Sequence, residues 1–75
     1  MHGRYRCLDP LDAAAKVMDT ARRMNMNFSQ LQFERADNAS FVLTFALEEN
    51  NPQKLDNFTH RIGLHLDLTK DYVDV

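Results

Sequence analysis

Seventy-five residues, 44% hydrophobic and 27% charged, with two glycines and two prolines, describe a single compact domain spanning 1–75, not a disordered or multidomain chain. A domain this small buries only about 60% of the surface its unfolded chain exposes, which excludes most deep-pocketed enzymes and favours association, so a homodimer or another partner is expected. Eleven acidic against nine basic side chains, net charge -2, lack the basic excess that phosphate neutralisation needs, so nucleic acid is not an expected partner.

One cysteine, Cys7, makes no internal disulfide, and one Cys with three scattered His gives no zinc pattern, so neither metal nor other cofactor is expected. A reducing cytoplasm suits such a chain. Met1-His2-Gly3-Arg4 lacks the apolar run of a signal peptide, and no run approaches the ~20 residues that span a bilayer, so no membrane partner is expected. Sequons at Asn27, Asn38 and Asn57 carry no weight without a secretion route.

In chain order, Arg4-Tyr5-Arg6-Cys7-Leu8 alternates charged and apolar side chains, the period of a half-buried strand with Tyr5 and Cys7 inward. Asp9-Pro10 starts a helix: Asp9 caps, Pro10 tolerates the first helical position, and Asp12 adds negative charge to the first turn. Leu11, Ala14, Val17, Met18 and Ala21 form its stripe, and Arg22, Arg23 and a left-handed Asn25 suit its end, giving a helix from about Pro10 to Met24.

From Phe28 the period is two, Leu31 and Phe33 opposite Gln30, Gln32 and Glu34, until Asp37-Asn38 supplies a turn. Phe41, Leu43, Phe45 and Leu47 then alternate with Val42, Thr44 and Ala46. The two segments predict an antiparallel hairpin whose second strand, apolar on both sides, is central. Asn51-Pro52 repeats the helix-start signal, with Leu55, Phe58, Ile62 and Leu66 near one face and Gly63 weakening the last turns. The tail, about Asp67 to Val75, reads as a final strand.

This order, β-α-β-β-α-β, is that of a ferredoxin-like α+β sandwich: two helices on one face of a four-stranded antiparallel sheet. The open sheet face invites another copy, a ligand or nucleic acid. Stacking on RNA needs a basic-Gly pair and aromatics at fixed offsets. In Phe41-Val42-Leu43-Thr44-Phe45 the closing aromatic falls one residue late and no basic-Gly pair precedes it, so this row reads as core.

Asp9-Pro10-Leu11-Asp12, the helix stripe of Ala14, Val17 and Ala21, and Asn25-Met26-Asn27-Phe28 together resemble the ACT domain, a ferredoxin-like regulatory module that senses amino acids. The family's loop reads Asp or Asn, any residue, Pro, Gly, and its helix ends in Gly-x-Asn-Ile. Here Asp9, Asn27 and Phe28 match in kind, whereas Asp12 and Asn25 replace the two glycines. The second half is similar to the short regulatory subunit of acetohydroxyacid (acetolactate) synthase, the enzyme that begins branched-chain amino acid synthesis, through Pro52, Leu55, Asp56, Ile62, Asp67 and Leu68.

The resemblance implies a non-catalytic domain that dimerises through its sheet or helix edges and activates or stabilises the catalytic subunit of that biosynthetic enzyme. It implies an amino acid effector site at Asp9, Leu11, Asp12, Asn25, Asn27 and Phe28. Asp12 would meet an effector carboxylate with bulk and like charge, so weak, altered or absent binding is expected. The alternative is a ferredoxin-like interaction or dimerisation module with no small ligand.

Other residues point to structure. Asp9 and Asp12 are explained by capping, and Asn25 and Asn27 by turn chemistry. His60 and His65 are five apart, off a shared helix face, and are expected to be solvated or half-buried. Met18, Met24 and Met26 are expected in the core, and Cys7 as a buried thiol. No Ser-His-Asp set, carboxylate pair or Gly-rich phosphate loop marks an enzyme. The acidic first loop also differs from the Arg-bearing phosphate cradle of acylphosphatase-type domains.

Overall fold

A computed structural model describes residues 1–65 and Asp67, together with the backbone of Thr69–Asp74. The architecture is α+β. Strands β1 (His2–Cys7), β2 (Phe28–Arg35) and β3 (Phe41–Leu47) form an open antiparallel sheet, and helices α1 (Pro10–Arg23) and α2 (Pro52–Gly63) share one core with its inner face. The backbone of β4 (Thr69–Asp74) pairs antiparallel with the free side of β1, giving the order β2-β3-β1-β4.

The predicted helix starts are the observed ones. Asp9 Oδ1 accepts the Asp12 N–H at 3.2 Å with Pro10 opening α1, and Asn51 Oδ1 accepts the Gln53 N–H at 2.9 Å with Pro52 opening α2. Asn25 has a φ of 57° just beyond the end of α1, the left-handed conformation its side chain tolerates. α2 stops at Gly63, so Leu66, expected on its apolar face, lies outside the described residues, as do Leu68, Val75 and the side chains of Tyr72 and Val73.

β1 begins two residues earlier than its charge alternation suggests, because Gly3 is a buried inward position that carries no apolar side chain to signal it. The core comprises Tyr5, Cys7, Leu43, Phe45 and Leu47 from the sheet against Ala13, Ala14, Val17 and Ala21 of α1 and Leu55, Phe58 and Ile62 of α2. Phe45 is its centre: its ring stacks on Tyr5 and meets Phe28 and Phe58 edge-on, each at 5.8 Å between centroids.

β3 is an inner strand, as its two-sided apolarity predicts. Val42 and Ala46 face away from the helices yet are buried, flanked in register by Arg6 and Glu34 and by His2 and Gln30. Three inward expectations fail at the periphery, among them Leu11, which is 73% exposed in the first turn of α1 rather than part of its buried stripe. Phe33 is 42% exposed because β2 is the outermost strand, and Met18 is 46% exposed because it sits at the edge of the α1 stripe; only Met26 of the three clustered methionines is fully buried.

Candidate functional site

The residues expected to hold an effector fall into two groups at opposite ends of α1. Asp9, Leu11 and Asp12 stand at its start, whereas Asn25, Asn27 and Phe28 follow its end. Fourteen residues at 1.5 Å each separate the groups by about 21 Å, so within one chain they do not share a site.

The start of α1 is built around a carboxylate from elsewhere in the chain. Asp67, just before β4, accepts the Leu8 N–H on Oδ1 at 2.8 Å and the Asp9 N–H on Oδ2 at 3.0 Å. These two bonds, that from Asp9 first, hold the Asp67 carboxyl below the usual carboxylate range. Asp12 points its carboxylate at His65 Nε2, 3.3 Å away, while its own N–H is capped by Asp9.

The loop between β1 and α1 is therefore a carboxylate-binding loop already serving an internal carboxylate. The N–H groups of Leu8, Asp9 and Asp12 each have an acceptor within the chain, and Pro10 has no N–H to offer. Leu11 is 73% exposed, and Leu8, three residues earlier, is exposed as well.

At the other end, Asn25, Asn27 and Phe28 line a shallow depression of about 340 Å³ with Met18, Ala21, Arg22 and Met26. Its one charged lining residue, Arg22, pairs with Asp19, which also meets Arg23 at 2.9 Å, so the guanidinium is already engaged. Asn27 lends its carbonyl to the Glu48 N–H at 2.9 Å, tying the start of β2 to the end of β3.

Cys7 is buried, and burial, then the nearby Asp67 and Asp9 carboxylates, push its thiol pKa up, the opposite of what a nucleophile needs. His60 is exposed and His65 half-buried. Among the described residues no group of three or more His, Cys, Asp or Glu is placed to hold a metal, and no helix is long and apolar enough to cross a membrane.

The Asp67 bridge and the His65–Asp12 pair were not foreseen from the sequence, where Asp67 read as the start of a strand and His65 as a solvated or half-buried side chain with no assigned partner. An acidic residue between two leucines after a helix carries no local sign of the loop it will grip nearly sixty positions earlier. No protein-family model matches the chain, and no curated protein matches it significantly.

Proposed function

We propose that this chain is a ferredoxin-like, ACT-type regulatory domain, non-catalytic, that binds and activates or stabilises a cytoplasmic amino acid biosynthetic enzyme. The best candidate is the catalytic subunit of acetohydroxyacid synthase in branched-chain amino acid synthesis. The element order and the strand order β2-β3-β1-β4 support the ferredoxin-like reading.

The observation that carries the proposal is the grip of Leu8 and Asp9 on Asp67. An amino acid effector presents a carboxylate to just such backbone N–H groups at a helix start. Here Asp67 occupies them, and Asp12 adds bulk and negative charge beside them. Satisfaction of the Leu8, Asp9 and Asp12 N–H groups from within the chain supports a subunit acting through docking and dimerisation with a degenerate effector site.

A thermal-shift screen against the twenty amino acids tests this, because a ligand bound only by the folded state raises the melting temperature. The expected result is no shift for the native chain and a shift with valine, leucine or isoleucine once Asp67→Ala vacates the loop. A folded Asp67→Ala chain that still ignores all twenty would favour the second reading, an interaction module with no small ligand. The same internal occupation of the loop supports that reading.

A further inference from the structure

We propose that the outer face of the sheet, the one turned away from the helices, binds a small organic anion, a carboxylate or a phosphate monoester, in a depression framed by His2, Arg4, Gln30 and Thr44. The site shares no residue with the start of α1, so it stands or falls independently of the reading above.

Its origin lies in the strand register. Burial alternates along β1, with Gly3, Tyr5 and Cys7 turned to the core and His2, Arg4 and Arg6 exposed on the outer face. On β3 the facing positions are short: Ala46 stands between His2 and Gln30, and Thr44 between Arg4 and Gln32. Long side chains on both flanks of short ones leave a depression of about 280 Å³, lined by His2, Arg4, Gln30 and Thr44 with Gly3 and Phe45. Ligand pockets run from roughly 300 to 1,000 Å³, so the occupant is small.

The four framing side chains all carry hydrogen-bond donors, and none is a carboxylate. Arg4 already interacts within the chain; its guanidinium carries five N–H donors in a fork that matches a carboxylate or a phosphate. The Gln30 amide is oriented by donating to Gln32 Oε1 at 3.1 Å and has a second N–H. Arg6 adds positive charge to the same face two residues along β1. Among the described residues of β1, β2 and β3, Glu34 is the one acid on this face, four residues or about 13 Å along β2 from Gln30. A chain of net charge -2 thus gathers cations around this depression.

Two other ligand classes are disfavoured there. A free amino acid brings its ammonium beside the Arg4 guanidinium, and like charges repel. A nucleic acid strand needs aromatic platforms, and among the described outward side chains of β1, β2 and β3 none is Phe, Tyr or Trp.

Amide NMR of the full chain, titrated with sodium phosphate or sodium lactate against sodium chloride at matched ionic strength, tests the site. Saturable shifts confined to the amides of residues 2–4, 30 and 44–46 are expected, and the anion that saturates at the lower concentration assigns the ligand to the phosphates or to the carboxylates. Arg4→Gln should weaken that binding about tenfold or more, the worth of a bond to a charged group, and Thr44→Val, of the same shape, about threefold or more. Arg6→Gln removes the same charge from the same face outside the depression and should change binding less than about threefold; circular dichroism checks that each variant is folded. Shifts that grow linearly with both anions as they do with chloride, or equal losses in Arg4→Gln and Arg6→Gln, would overturn the site and leave only diffuse attraction to a basic face.

Discussion

The ring of Phe45 lies over Gly3 of the neighbouring strand, its partner in register, and occupies the space where a side chain at position 3 would be. A methyl group there would sit inside the envelope of three Phe45 ring atoms, and the ring cannot retreat because Tyr5, Phe28 and Phe58 surround it. Gly3→Ala should therefore destabilise the fold by about 1–3 kcal/mol, the range of overpacked cores. Denaturant unfolding measures it, and an unchanged midpoint would show that the ring moves freely.

Tyr5 is buried with its hydroxyl unpartnered among the described residues, and burial raises its pKa. Removing a buried hydroxyl that makes no bond removes its desolvation cost, so Tyr5→Phe should be neutral or stabilising by up to about 1–2 kcal/mol. Loss of stability on this change would mean that the hydroxyl has a partner. Because burial penalises the phenolate, the folded state should lose stability as pH rises above about 10, where the unfolded chain ionises first.

Asp67 has the opposite sign. Its folded pKa lies below its unfolded value, so its contribution is complete at neutral pH and is lost as pH falls below about 4 toward the folded pKa. Asp67→Asn should cost about 1 kcal/mol at pH 7, the low end for bonds to a charged group at a solvent-accessible site, and should flatten the acid limb of the stability curve. Unfolding midpoints at pH 7 and pH 3 for both chains check this; parallel curves would deny the bridge.

Two carboxylates oppose an effector at the start of α1, and they act in different ways. Asp67 takes the donors, and Asp12 fills the approach and repels. Asp12→Gly alone should leave amino acid binding weak and should release His65, whereas Asp12→Gly with Asp67→Ala should bind a branched-chain amino acid detectably by calorimetry. Equal binding by the single and double variants would contradict the assignment of the donors to Asp67.

Both helix starts, the αL residue at Asn25 and the hairpin were legible because each is written in nearby residues: Asp9-Pro10, Asn51-Pro52, and a period of two on either side of the Asp37-Asn38 turn. Gly3 was not, since a strand position that depends on a neighbour's ring has no apolar side chain of its own. Phe33 read as inward because alternation reports which face a side chain takes, not whether a helix reaches that far across the sheet. The candidate site was least legible: the residues that fill the loop come from the far end of the chain, and the two halves of the expected site lie a helix length apart.

Titration of the chain into the isolated catalytic subunit of acetohydroxyacid synthase from the same source, reading the rate of acetolactate formation, tests the account most directly. A saturable rise in rate, unaffected by added valine, is the expected result. No change in rate together with no complex in sedimentation would contradict it.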